Sequence, residues 1–237
     1  MRSDLSQNNI DRVKLYAAEQ LTRGLPTACL TYRTSDESIT GLPEVWRVVD
    51  PKMPTEDEGA RDAWFGRAMP KLAPFGAIVL DPTVGLEPVG SPATPQHALR
   101  SEVTHLLDTG AVRVVCFQAV RSWQARPESP QEFIDKQCTA FGDNAPRMML
   151  LHLGPASLIV FSGKNFPDAG KMRARAERAL FAAERGRGKY APGIYTPEAQ
   201  AEEWAETYPG RSDYGPSGPT MLDYLEAGRQ LYQGGPA

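Results

Sequence analysis

The 237-residue sequence predicts an α/β or α+β fold, built as a layered mixed sheet with flanking helices and a C-terminal helical, aromatic extension. Short apolar runs alternate with amphipathic stretches over residues 27–185, which is typical of helices packed on a sheet. The run RMMLLHLGPASLIVFSG indicates two strands that turn at Gly154-Pro155, so at least one strand pair should be antiparallel. Residues 190–237 hold six of the eight tyrosines, and this aromatic content argues against simple disorder.

The first third of the chain predicts two helices and three strands. NIDRVKLYAAEQLTRG carries apolar residues at helical spacing and stops at Gly24, where a glycine commonly ends a helix. TEDEGARDAWFGRAM begins with Thr55 as a potential N-cap, followed by acidic residues in the first turn. TACLTYR, EVWRVVD and FGAIVLD are short apolar runs of strand length.

Prolines and glycines then punctuate the chain. Four prolines in residues 82–95 predict a loop. TPQHALRSEVTHLLDTG predicts a helix with Thr94 as N-cap, and SPQEFIDKQCTAFG predicts another that begins at Ser129. AVRVVCFQAV predicts a strand between these two helices. A basic helix is expected after SLIVFSG, and two short helices are expected in the extension.

Composition restricts the class of protein. The N-terminal MRSDLSQNN has no apolar segment of the kind that a secretory signal needs. No apolar run approaches the roughly 18 residues of a membrane-spanning helix. The three cysteines are odd in number and show no CxxC spacing, which fits a reducing compartment. We therefore expect a soluble, cytoplasmic protein with no membrane partner.

Charge separates the chain into two predicted units, a core domain over 1–189 and an acidic extension over 190–237. Residues 162–189 contain eight basic and three acidic side chains, whereas residues 190–237 contain two basic and seven acidic ones. Seven large aromatic residues in the extension predict that it packs on the core or on a partner, either a second copy or another protein.

The basic segment predicts the binding of an anionic partner, with nucleic acid as the leading candidate. Six residues separate Gly163 from Gly170-Lys171, and Met172 stands where a phosphate-binding loop needs a hydroxyl, so the segment does not match that motif. Clustered cations on one helix instead suit phosphate neutralisation. The alternative is that the acidic extension folds over this helix. The predicted contacts are Lys164, Lys171, Arg175, Arg178, Arg185 and Arg187.

A second hypothesis is a metal-dependent phosphodiesterase or nuclease. Two apolar strands end in the same dipeptide, Asp50-Pro51 and Asp81-Pro82. If these strands were parallel neighbours, both carboxylates and Glu87 would supply oxygen ligands for Mg²⁺. The alternative is that Asp-Pro only ends each strand with a turn. No other cofactor is evident, so Mg²⁺ is expected only under this hypothesis.

The histidines offer one further catalytic pattern. His105 lies one helical turn from Glu102, a spacing that suits a general base with an orienting carboxylate, although such a face is more often solvated. The signatures GxSxG, HExxH and GxGxxG do not occur. The sequence therefore leaves enzyme activity open. A third hypothesis is a structural or assembly protein that docks through its aromatic extension.

Overall fold

A computed structural model describes residues 3–32, 42–49, 58–119, 128–154, 156–163, 169–182 and 192–206. No helix in these ranges is long and apolar enough to cross a membrane. The elements, in chain order, are α1 (Ser3–Thr22), β1 (Thr27–Thr31), β2 (Arg47–Val49), α2 (Glu58–Leu72), β3 (Ala77–Asp81), β4 (Gly85–Leu86), β5 (His97–Ala98), α3 (Arg100–Asp108), β6 (Arg113–Gln118), α4 (Pro130–Phe141), β7 (Arg147–His152), β8 (Ser157–Ser162), α5 (Ala169–Ala182), β9 (Gly193–Tyr195) and α6 (Ala201–Glu206).

Seven strands form one mixed sheet in the order β2-β1-β3-β6-β8-β7-β9. The first four are parallel to one another. The remaining three alternate in direction, because β8 runs antiparallel to both β6 and β7, and β9 runs antiparallel to β7. The predicted mixed sheet and the predicted β7–β8 hairpin are therefore confirmed. We call the side where β1, β3 and β6 end the carboxyl edge, and the opposite side the amino edge.

Helices cover both faces of the sheet. One face packs against apolar side chains of α2, α3 and α4, including Trp64, Leu106 and Ile134. The other face packs against α1 and α5, and it also takes up Trp204 from α6. Helices cover both sides of β3 and β6, so both faces of these strands are buried. This explains why their sequences are apolar runs rather than alternating patterns.

Local signals account for the end of α1 and the start of α4. The backbone N–H of Leu25 donates to the carbonyl of Thr22, and Gly24 follows α1 with φ of 83°, so the predicted terminating glycine is confirmed. Ser129 caps α4, because its hydroxyl accepts from the backbone N–H of Glu132 while the Glu132 carboxylate accepts from that of Ser129. The predicted cap of α2, Thr55, lies outside the described residues.

The helix predicted from Thr94 begins instead at Arg100. The backbone N–H and hydroxyl of Thr94 bond to Nδ1 of His97, and the N–H of His97 donates back to the Thr94 carbonyl. This turn leads into β5, which occupies part of the predicted helix and pairs with β4. β4 lies in residues 82–95, the segment expected to be only a loop. The carbonyls of Pro95 and His97 are taken by the distant Arg61 side chain, so they do not start a helix.

The beginning of the predicted extension is part of the layered structure. β9 extends the sheet beside β7, and Trp204 is only 5% exposed. The Gln200 amide donates to the Pro146 carbonyl and accepts from the backbone N–H of Met148, so it holds α6 to the start of β7. Residues 207–237 lie outside the described residues, and the division of the chain at 189/190 stays a prediction.

We expect a chain that ends at residue 192 to be much less stable than one that ends at residue 206. The shorter chain loses β9 and Trp204, and deleting a buried tryptophan side chain alone costs about 3–5 kcal/mol. Urea unfolding followed by circular dichroism measures the difference. Equal unfolding midpoints for the two truncated chains would show that residues 193–206 do not stabilise the sheet.

Candidate functional site

The carboxyl edge collects the chemically capable side chains of the described sheet. β1, β3 and β6 end there at Thr31, Asp81 and Gln118. Ligands of open α/β sheets commonly bind outside the carboxyl ends of parallel strands. The segment 82–99 crosses this edge, and the arrangement of its contacts decides what the edge is able to bind.

A buried ion pair fixes one end of that segment. Nε and Nη2 of Arg61 donate to the two carboxylate oxygens of Glu102 at 3.0 and 3.1 Å. The Tyr32 hydroxyl and the backbone N–H of Leu99 donate to the same carboxylate at 2.8 and 2.9 Å. The guanidinium lies 5.4 Å from the centre of the Tyr32 ring. The pair therefore joins the end of β1 to α2 and α3. The same Arg61 side chain also donates to the carbonyls of Pro95 and His97.

A second polar cluster fixes the other end. Glu87 accepts from the backbone N–H of Arg100 at 2.7 Å and forms an ion pair with its guanidinium at 3.4 Å. Oε1 of Gln118 accepts from the backbone N–H of Leu86 at 3.0 Å. Gly85, with φ of 126°, lies so close that a Cβ there would be 2.3 Å from the same oxygen. The segment is thus clamped onto the sheet.

The strands that precede the two predicted aspartate ligands are not neighbours in the sheet. β2 and β3 are parallel, but β1 lies between them, so the strands that Asp50 and Asp81 follow are not neighbours. Asp50 lies outside the described residues. Glu87 is engaged by Arg100, and no group of three or more His, Cys, Asp or Glu within the described residues is arranged to hold a metal. The shared Mg²⁺ site stays a hypothesis.

His105 and Glu102 occupy different environments on α3. Glu102 is 4% exposed and directs its carboxylate to Arg61 and Tyr32. His105 is exposed and lies edge-on to Phe65, with 6.0 Å between ring centroids. The carboxylate that would orient a general base at His105 is therefore committed to the buried ion pair.

Burial shifts two acid–base groups near this pair. Burial first, then the negative charge of Glu102, raises the pKa of the Tyr32 hydroxyl well above 10.0. Burial first, then the charges of Asp81 and Glu102, raises the pKa of the Cys116 thiol well above 9.0. Both groups stay protonated at neutral pH, so neither is activated for nucleophilic attack there.

The basic helix packs on the sheet through its apolar side. Met172, Ala176 and Ala179 of α5 are buried against the face that α1 also covers. Lys171 and Arg178 are exposed, and Arg175 is partly exposed. Arg173 pairs with Glu177 at 3.7 Å across one turn, in a surface contact worth little energy. Lys164, Arg185 and Arg187 lie outside the described residues.

Two arginines lie at the C-terminal end of α1, where helix carbonyls concentrate negative charge. Arg113, at the start of β6 and 1% exposed, donates from Nη1 to the carbonyl of Leu21. Nη2 of Arg175 lies 3.9 Å from the point where a Cβ on Gly24 would be. α1 has no basic residue in its own last turn, so cations from other elements complement this helix end.

The buried charged residues differ in how clearly the sequence marks them. Arg113 interrupts the apolar strand VRVVCF, and a charged residue in a buried strand requires a partner. Arg61 and Tyr32 carry no such signal, because their partner Glu102 is 41 and 70 positions away. The site therefore contains a charged network that local pattern does not reveal.

No protein-family model, no curated protein and no solved structure matches this chain. The fold and its contacts define a protein with a three-layer arrangement of helices, mixed sheet and helices. Within the described residues, the clamped carboxyl edge and the basic helix both carry clustered charged side chains.

We expect Glu102→Gln to lower the free energy of unfolding by about 3–5 kcal/mol, because it leaves the Arg61 charge buried without its partner. The double variant Arg61→Met/Glu102→Gln should lose less than the sum of the two single variants. Urea titrations measure all three. The control is Glu177→Gln, which breaks an exposed pair and should cost at most about 1 kcal/mol. A Glu102→Gln variant as stable as the control would contradict this role.

Stability should fall at alkaline pH because of Tyr32. The folded chain keeps the Tyr32 proton to a higher pH than the unfolded chain does, so above pH 10.0 the unfolded state binds fewer protons. The free energy of unfolding therefore decreases as pH rises through this range. Tyr32→Phe should flatten that decrease, whereas Tyr16→Phe, on an exposed tyrosine, should not. Urea midpoints between pH 8 and 11 test this, and an unchanged slope in Tyr32→Phe would refute it.

Proposed function

We propose that this protein binds the phosphate backbone of nucleic acid through the exposed basic side of α5. The observation that carries the proposal is that Arg175 and Arg178 make no ion pair with any other described residue. Cations without carboxylate partners remain available to phosphate. An arginine already held by a carboxylate would first have to break that contact.

The helix suits this role because its other side is fixed. Ala176 and Ala179 are small and buried, so α5 lies close to α1 and its axis is held against the sheet. Lys171, Arg175 and Arg178 follow one another at spacings of four and three residues, and therefore share a side of the helix. Seven residues of helix cover about 10 Å, the axial length of about three phosphates on one strand of B-DNA.

The expected binding is electrostatic and tolerant of sequence. Arginine contacts to phosphate oxygens orient a strand but read no bases. Counterion release makes such binding steeply salt-dependent. The acidic residues of 190–237 are the internal competitor for the same surface, and a basic helix covered in this way would bind little at any salt concentration.

We expect Arg178→Ala to weaken binding of any single-stranded oligonucleotide and to reduce the slope of log K against log salt by about 0.7–0.9. Fluorescence anisotropy at several salt concentrations measures both. The matched control is Arg67→Ala, because Arg67 is an exposed arginine of α2, on the opposite face of the sheet. Salt-independent binding, no binding at low salt, or an equal loss in Arg67→Ala would overturn the proposal.

The alternative, a metal-dependent nuclease, is tested with the same protein and oligonucleotides. Asp81 ends β3 at the carboxyl edge and is partly exposed. Cleavage of the bound oligonucleotide that requires Mg²⁺ and is lost in Asp81→Asn would favour a nuclease. Binding without cleavage would favour the binding protein proposed above.

A further inference from the structure

A cavity of about 560 Å³ opens at the amino edge of the sheet, beside the C-terminal end of α1. The last turn of α1, the connection to β1 and the residues before β2 form its wall. This volume lies within the range of about 300–1,000 Å³ that is usual for small-ligand sites. None of the residues that line the cavity belongs to α5 or to the clamped segment. The cavity is therefore separate from both surfaces described above.

The wall of this cavity carries one negative and one positive side chain. Glu19 and Arg23 both line it, and they lie four residues apart, which is about one helical turn. Both are exposed, and neither forms an ion pair with another described residue. A ligand with a single charge would be attracted by one of these groups and repelled by the other. The wall therefore favours a ligand that carries both charges.

The carbonyl end of α1 changes this balance little, because its last carbonyls already have donors. The Thr22 carbonyl accepts from the backbone N–H of Leu25, and the Leu21 carbonyl accepts from Nη1 of Arg113. These contacts reduce the negative potential that helix carbonyls concentrate at a C-terminal end. Of the described residues that line the cavity, only Glu19 and Arg23 carry a formal charge.

Apolar surface completes the wall. Trp46, which lines the cavity, is 6% exposed, and the neighbouring wall residue Leu25 is partly buried. Val45, also in the wall, is 81% exposed. No described residue accepts a hydrogen bond from the indole N–H of Trp46, although a buried tryptophan usually has such an acceptor. The cavity thus combines an apolar part with two charged groups that face solvent.

We infer that this cavity binds a zwitterionic α-amino acid with a large apolar side chain. The ammonium group of the ligand pairs with the Glu19 carboxylate, and its carboxylate pairs with the Arg23 guanidinium. Its side chain packs against Trp46 and Leu25. Because Glu19 and Arg23 are exposed, water and salt weaken both ion pairs. Burial of the apolar side chain therefore supplies most of the affinity, and the two charges supply the selectivity.

The test compares three ligands with the same side chain by isothermal titration calorimetry of the full chain. L-Phenylalanine carries both charges, L-phenylalaninamide carries only the ammonium group, and N-acetyl-L-phenylalanine carries only the carboxylate. The titrations are run at pH 6, below the usual pKa of about 7.7–8.0 for an α-amino group. We expect L-phenylalanine to bind about tenfold more tightly than either analogue, because each analogue lacks one charge-assisted hydrogen bond.

Two variants assign the charges to their partners. Glu19→Gln should reduce the affinity for L-phenylalanine to that for N-acetyl-L-phenylalanine, because only the contact with Arg23 remains. Arg23→Gln should reduce it to that for L-phenylalaninamide, because only the contact with Glu19 remains. The control is Arg67→Gln, which removes an exposed arginine of α2 that does not line the cavity, and it should bind all three ligands as the unmodified chain does.

The unmodified chain alone is able to refute the inference. Equal affinities for the three ligands, or no binding of L-phenylalanine at millimolar concentrations, would overturn it. An equal loss in Arg67→Gln and Arg23→Gln would also overturn it, because net charge would then explain the effect. Thermal unfolding of each variant checks that the fold is retained. None of these results depends on whether α5 binds nucleic acid.

Discussion

The buried ion pair between Arg61 and Glu102 is the contact on which the carboxyl edge depends. It joins two helices to the end of the first strand, and it supplies donors to backbone carbonyls that have no place in a helix or in the main sheet. Without these contacts, the carbonyls would lack a fixed partner, and this proline- and glycine-rich segment would be free to adopt other conformations. Because both charges are buried, removing either partner leaves the other charge buried without compensation. Either charge alone is costly, whereas the pair specifies one conformation.

The opposite edge depends on a different use of arginine. The carbonyl end of α1 is complemented by Arg113 from inside the sheet and by Arg175 from the neighbouring helix. One consequence is that Arg175 has a role in the fold as well as a proposed role in binding. Arg178, which is exposed, is the better probe of binding alone. Substitutions therefore separate two roles of arginine at this edge, which are to complement the carbonyl end of α1 and to bind an anionic partner.

Most strands and helices followed from the sequence because their causes are local. Continuous apolar runs predicted β3, β6 and β8, and Ser129 predicted the start of α4. The start of α3 was wrong because Thr94-Pro95 imitates a helix cap, while the distant Arg61 takes the carbonyls of that turn. A second contact of Arg61, its ion pair with Glu102, joins residues 41 positions apart and was not visible in the spacing of Glu102 and His105. Long-range polar contacts leave no periodic trace, so this part of the site required three-dimensional information.

The order of strands has a consequence for synthesis on the ribosome. β8 lies between β6 and β7 in the sheet but follows both in the chain. The hydrogen-bonding groups on one side of β6 therefore have no strand partner until the hairpin is complete. Gln118 and Ser162 are 44 positions apart, which corresponds to about 2–9 s at translation rates of roughly 5–20 residues per second. During that interval the nascent chain presents an open, apolar strand, which is the kind of surface that chaperones protect from premature association.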